Sequence, residues 1–451
     1  MPDETHAVQV DFAAEQGRIR PLHGANNGPR CLGGLMDLSP AFRELGFPAL
    51  RLHDCEWPAD AYVDTHVVFP NFAADPEDPA SYDFKLTDGY LKAIVDLGMG
   101  IVYRLGCRIE HTEHRRHAHP PADFAKWARI CVGILRHYNE GWANGHRWNI
   151  RHWEIWNEPD IPPGCWSGTW DDYYRLYVTA AKAIKAHDPN ALVGGPAYSY
   201  ATEKHDFVEG FLTRCREEGA PLDFFTWHTY AGKDLGIWAR RAAAMRELLD
   251  RHGFRGVPSH LNEWNCCPDG DWTNWPVFAR GLNGPRGASG VAATLALLQD
   301  LPIDEAFLYT ADTLVYGLFS REGEKQKNWY AVRAFRHLLD TPLRVRARGS
   351  DGPLGIGVLA GMAEDRRSAQ VLLANYVASP VKRMRLSLAG VPWPGETEAR
   401  VRVLDAERTL DEVAVLRLPA GSATLDLDVP NATVALVRLA PAGATGAANQ
   451  R

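Results

Sequence analysis

Two carboxylates in matching contexts mark where this chain could do chemistry. Glu158 closes the run His152-Trp-Glu-Ile-Trp-Asn-Glu158, followed by Pro159 and Asp160. Glu263 closes Ser259-His-Leu-Asn-Glu263, followed by Trp264. Each is an apolar, strand-like run ending in Asn-Glu. Two carboxyl groups carried to two strand ends can act as a proton donor and a nucleophile or base, the roles that glycosidic bond cleavage requires. The chemistry follows only if the fold brings both ends to one face.

The flanking pattern predicts such a fold. Strand-like runs occur at 19–24, 49–54, 100–106, 152–158, 191–196, 224–230, 260–264 and 305–310. Amphipathic, helix-like stretches lie between them, at 86–97, 122–138, 170–187, 206–218, 235–252 and 287–299. Strand then helix, eight times over, predicts an α/β fold of the (β/α)8 TIM-barrel type over residues 15–340. A doubly wound sheet would show the same alternation but gives no reason for eight. Barrel active sites lie at the C-terminal strand ends. Glu158 ends the fourth run and Glu263 the seventh, so both fall on that face.

The pattern changes after Leu339. Short alternating segments punctuated by Pro and Gly predict a C-terminal β-sandwich over 341–440, to which the opening run 7–12 could add a strand. The small, polar stretch 441–451 reads as a disordered tail.

Composition narrows the function classes. With 451 residues and 45% hydrophobic content the chain has ample core, and its 15 Trp suit stacking on sugar rings as well as packing. A net charge of −7 argues against a nucleic-acid or anionic-membrane partner. No run approaches the length of a membrane span. The first residues lack the basic and apolar regions of a signal peptide, which gives a cytoplasmic expectation. Eight Cys without a CxxC pair read as reduced, buried thiols; Cys107, Cys165, Cys266 and Cys267 follow predicted strands and could converge at one barrel mouth. No cofactor and no metal are expected.

The strings Trp153-Glu-Ile-Trp-Asn-Glu-Pro159 and Leu261-Asn-Glu-Trp-Asn265 resemble the fourth- and seventh-strand signatures of the clan A retaining glycoside hydrolases. Arg51-Leu-His53, His228-Thr-Tyr230, and Gly317-Leu-Phe319 with Trp329-Tyr-Ala331 resemble segments of family 39, which holds β-xylosidases and α-L-iduronidases. The resemblance covers roughly 20–340. It implies Glu158 as acid/base, Glu263 as nucleophile, and Asn157 as the residue facing the sugar 2-OH. Tyr230 would orient Glu263, with His228 on the same strand face or merely structural. Arg51 and His53 share parity on the second strand and so point to one side. A cation beside Glu263 would keep it ionised, while repulsion between the carboxylates would hold a proton on Glu158. Glu154 with Arg51 is expected as a structural ion pair inside the barrel. A homo-oligomer is compatible with the resemblance.

The sugar is less determined. Trp57, Trp166, Trp170, Trp264, Trp272 and Trp275 follow catalytic-face strands, and one or two of them are expected to stack on substrate. Residues 104–119 hold four Arg and four His, among them Arg108. Such a loop could recognise a uronic acid, or be a solvated or subunit-contact loop. His111, His114 and His117 have a spacing that zinc could use. The Asp- and Pro-rich insert 67–82 could wall the cleft or form an oligomer contact. Residues 324–328 lack the Lys-Pro of the xylosidases. The expectation is a retaining hydrolase of terminal bonds in short oligosaccharides, β-xylosidase-like. The alternatives are a glycosidase acting on an acidic sugar, a transglycosylase, or a non-catalytic sugar-binding protein on the same scaffold.

Overall fold

The computed structural model describes residues 5–55, 62–270, 273–377 and 379–443. Eight parallel strands close a barrel: β1 (Gly24–Asn26), β2 (Ala49–Leu52), β3 (Gly100–Leu105), β4 (His152–Ile155), β5 (Leu192–Tyr198), β6 (Phe224–Ala231), β7 (Ser259–Cys266) and β8 (Glu305–Leu308). Pairing of Phe307 with Gly24 joins the last strand to the first. The helical layer is α1 (Ser39–Leu45), α2 (Lys85–Val95), α3 (Phe124–Asn139), α4 (Trp170–His187), α5 (Asp206–Glu218), α6 (Ile237–Arg251), α7 (Trp275–Asn283), α8 (Pro285–Leu297) and α9 (Lys327–Leu338).

Local chemistry sets several boundaries. The Thr169 hydroxyl accepts from Asp172 N–H while the Asp172 carboxylate accepts from Thr169 N–H, a capping box that starts α4 where expected. The first strand begins later than its apolar run, which we expected at 19–24. Pro21 has no N–H to give a ladder, and Ile19 N–H instead donates to Pro342 O at 2.9 Å.

The second domain is one continuous nine-stranded sheet. The N-terminal strand (Thr5–Arg18) joins β9 (Leu343–Arg348), β10 (Ile356–Met362), β11 (Ala369–Asn375), β12 (Arg383–Ala389), β13 (Thr397–Leu404), β14 (Thr409–Leu418), β15 (Ala423–Asp428) and β16 (Thr433–Pro441). Their spatial order is β14-β13-β16-β11-β10-β9-N-terminal strand-β12-β15. Side chains from all these strands but β14's outer stretch meet in one core, including Val10, Val358, Leu386, Val401, Leu427 and Val437.

Burial explains their sequence character. At the sheet margin, β15 alternates buried and exposed residues. In the middle, β10 and β11 are buried throughout, because their second face packs on the barrel helices. Leu359, Leu372, Ala374 and Leu436 accordingly belong to the barrel's core. At Gly357 a Cβ would lie 2.5 Å from Ala293 Cα, so only glycine lets β10 lie this close to α8. No helix among the described residues is long and apolar enough to cross a membrane.

Candidate active site

The fourth and seventh strands bring the two glutamates to one mouth by different means. β4 ends at Ile155, and the chain then turns through Trp156 (φ 72°) and Glu158 (φ 46°), in the left-handed region that non-glycine residues seldom occupy. The turn is held by Trp156 N–H donating to Leu105 O at 2.7 Å and Glu158 N–H donating to Ala197 O at 3.1 Å. The Trp156 indole donates to Cys165 O at 2.7 Å. A rarely occupied backbone held this firmly is characteristic of functional loops.

β7 continues through Glu263, but its register against β6 slips between Leu261 and Glu263. The slip turns two successive side chains inward, as bulges near active sites do. Asn262 donates to the Glu154 carboxylate, and Glu263 accepts from the Tyr230 hydroxyl at 2.5 Å.

Arg51 is fully buried and ties the site together. Its Nε donates to Glu154 Oε2 at 2.7 Å. Nη1 donates to Asn26 Oδ1 and Glu263 Oε2, each at 3.1 Å, and Nη2 to Asn157 Oδ1 at 2.7 Å. The expected Arg51–Glu154 pair is therefore present, and the same guanidinium also holds Glu263. Removing either carboxylate partner would leave buried charge without compensation.

His228 lies between the two glutamates, its Nδ1 2.7 Å from Glu158 Oε1 and 3.6 Å from Glu263 Oε2. One donor atom from each of Glu158, His228 and Glu263 lies within 4.8 Å of the others. The three could accept a cation, but paired-carboxylate cleavage requires none. His53 sits beside them, its Nε2 3.4 Å from Asp54 Oδ2.

The electrostatics separate the two carboxyls. Burial raises Glu158 to about 7, against the opposing pull of Arg51 and the Cys165 thiol. Burial raises Glu263 as well and the neighbouring Glu158 adds to the rise, but Arg51 and the Tyr230 hydroxyl favour its charged form. Glu263 has two direct donors in Arg51 and Tyr230, whereas Glu158 meets the His228 ring nitrogen at 2.7 Å and the Cys165 thiol at 3.6 Å. Burial lowers His228 to about 4, so at neutral pH its imidazole is uncharged.

Two expected sugar-stacking residues are elsewhere. Trp264 follows Glu263, so strand alternation turns it outward, where it packs edge-on against Trp238 of α6 at 5.8 Å. Trp166 is fully buried beneath its loop, donating to Thr169 O at 2.9 Å and meeting Trp156 edge-on at 4.9 Å. Trp170 and Trp275 are partly exposed and lie against Phe207 and Phe278. Trp57 and Trp272 lie outside the described residues, as does 444–451 of the expected tail.

The charge-rich loop after β3 is largely self-organised. Arg104 is buried and pairs with Asp64 at 2.5 Å. The Arg108 backbone N–H donates to the same carboxylate at 2.9 Å. Glu110 gathers the N–H groups of Arg116, His117 and Ala118 at 3.0, 2.9 and 2.8 Å. The His117 ring stacks on His66 at 3.5 Å. Neither group of converging metal-type donors found among the described residues includes His111, His114, His117 or a cysteine. All eight cysteines are buried thiols. In the insert, Tyr82 packs on Phe84 and Trp142 of the helical layer.

Some contributors went unread in the sequence. Tyr309 donates to Asp54 Oδ2 at 2.8 Å, and burial raises Asp54 to about 6. Asn26 and Asn262 complete the polar floor. Asp54 adjoins a predicted site residue, a usable signal. Asn26 lies beyond the apolar run at 19–24, and Asn262 is inward only because of the register slip.

The profile of Glycosyl hydrolases family 39 matches residues 37–274. A β-xylosidase of Caldicellulosiruptor saccharolyticus is 29% identical over 250 residues, covering 50% of this chain and 47% of its own. A β-xylosidase of Geobacillus stearothermophilus is 28% identical over 165 residues, covering 32% of each chain. The matched region thus spans half or less of these relatives' length. Among solved structures, a glucosidase from Croceicoccus marinus superposes with a TM-score of 0.82 at 24% identity, covering 97% of this chain and 99% of that one. A monomeric β-xylosidase from Caulobacter crescentus CB15 gives 0.73 at 17% identity, covering 97% and 100%. These two show the shared fold. The chain belongs to glycosyl hydrolase family 39.

Proposed function

We propose that this chain is a retaining glycosidase acting on terminal bonds of short oligosaccharides, with Glu158 as acid/base and Glu263 as nucleophile. One observation carries the reading: facing oxygens of Glu158 and Glu263 lie within 4.8 Å of each other beside His228. Retaining pairs stand about 5–5.5 Å apart, whereas inverting pairs need roughly 6.5–9.5 Å to admit water.

In the first step Glu263 attacks the anomeric carbon while Glu158 gives its proton to the departing oxygen. The new carbon–oxygen bond to Glu263 replaces the scissile one. Esterified Glu263 no longer bears charge, so repulsion on Glu158 falls and it can take a proton from water. That water then displaces Glu263 and restores both groups. Asn157 would hold the 2-OH, an interaction that strengthens in the transition state.

For the sugar, the names of the matched relatives favour a β-xyloside. The test is a panel of aryl β-xylosides, β-glucosides, α-arabinosides and uronides, with the anomeric form of the first product followed by NMR. Turnover with retained configuration is expected, fastest on β-xyloside. An inverted first product would overturn the mechanism, and preference for a uronide would overturn the substrate.

A further inference from the structure

Outside the barrel, between α2 and α3, a second set of donors converges: Asp88, His137 and His146. Asp88 lies in the first turn of α2 and His137 in the last turn of α3. His146 follows the short turn Trp142–Asn144. Asp88 Oδ1 is 2.9 Å from His137 Nε2 and 3.5 Å from His146 Nε2. All three donor atoms lie within 4.8 Å of one another.

We propose that these three residues bind a zinc-class divalent cation, with water completing a four-coordinate shell. With metal–ligand bonds of about 2.0–2.2 Å, tetrahedral geometry places ligand atoms about 3.4 Å apart, close to the two separations seen. Two imidazoles and one carboxylate are a donor set suited to zinc rather than to calcium or magnesium.

The surroundings hold the ligands ready. His137 Nδ1 is 3.1 Å from Trp142 O, so it carries the proton and Nε2 can offer a lone pair. The His137 ring stacks on Phe84 at 3.5 Å, and the His146 ring on Trp148 at 3.8 Å, fixing both planes. His146 N–H donates to His137 O at 2.6 Å. That approach depends on Gly145, where a Cβ would lie 2.1 Å from His137 O. His146 Nε2 is nevertheless inaccessible to water and has no hydrogen-bond partner. A hydrogen-bonded Asp–His pair accounts for Asp88 and His137 but leaves this third atom unused. A cation would engage all three.

The experiment is metal binding by the purified full chain, stripped with chelator and titrated with Zn2+ and with Co2+. The proposal expects one equivalent retained on dialysis, a raised Tm, and the visible absorption of tetrahedral cobalt. His146 is partly exposed, so His146→Ala should fold, yet lose more than about a hundredfold in affinity, since loss of an outer partner alone costs about 10–100-fold. Asp88→Asn should weaken binding in the same direction. A wild-type chain that retains no zinc and shows no Tm shift would overturn the proposal, as would His146→Ala binding with unchanged affinity.

Discussion

Arg51 and Asn157 share one hydrogen bond, Nη2 to Oδ1 at 2.7 Å, and it fixes what Asn157 can offer a substrate. A guanidinium only donates, so the amide must turn its oxygen toward it. The amide nitrogen is left facing the other way, and Asn157 Nδ2 is buried with no partner. Asn157→Ala should therefore cost roughly 10²-fold in kcat/KM, about 2.7 kcal/mol, on sugars bearing a 2-OH. On 2-deoxy glycosides wild type and variant should differ little. An equal loss on both would show that Asn157 acts only through packing.

Removing the proposed nucleophile gives a sharper outcome. Glu263→Ala should lower turnover by on the order of 10⁴-fold or more, because no group remains to form the covalent intermediate. Added azide should restore turnover, with product of inverted configuration. Rescue with retained configuration would mean that Glu263 is not the attacking group.

The pH profile follows from Glu158. Its proton is held up to about 7, so kcat/KM should fall as pH rises through that value. Glu158→Ala should lose this alkaline limb, keep activity on good leaving groups and lose it on poor ones. An unchanged alkaline limb in that variant would move the acid role to another residue.

The same shift predicts a stability effect. Glu158 binds its proton more tightly in the folded chain than in the unfolded one, so its contribution is complete below about 4.5 and is lost as pH rises through about 7. Glu158→Gln should therefore be more stable than wild type at pH 8, by on the order of 1–3 kcal/mol. The two should converge near pH 5, as read by denaturant unfolding. A variant that is less stable at pH 8 would contradict the desolvation argument.

Trp166 and Trp264 should behave as core. Trp166→Ala should destabilise by about 3–5 kcal/mol. Trp264→Phe should leave KM for the aryl glycoside unchanged. A large rise in KM with unchanged stability would place that ring against the sugar.

The barrel was readable because its signals are local and repeated: two periodicities alternating, with caps such as Thr169 marking the boundaries. The polar centre was readable where strand parity was regular. Arg51 with His53, and His228 with Tyr230, needed only the two-residue repeat. The same parity turns Trp264 outward, since its neighbour Glu263 faces inward. Asn262 was hidden for a different reason, since one irregular pairing between β6 and β7 reverses the expected face. The middle strands of the second domain are buried on both faces rather than alternating, because the barrel covers the second face, a tertiary fact no short window contains.

The N-terminal strand pairs antiparallel with β9 and parallel with β12, through contacts such as Val10 with Ala347 and Val8 with Leu386. This strand is made before the whole barrel and waits, unpaired, until β9 and β12 have been made. Its apolar residues, Val8, Val10 and Phe12, must be kept from other edges during that interval. Closing this seam joins a strand from before the barrel to strands that follow it, so the sheet cannot be completed until the barrel has been synthesised.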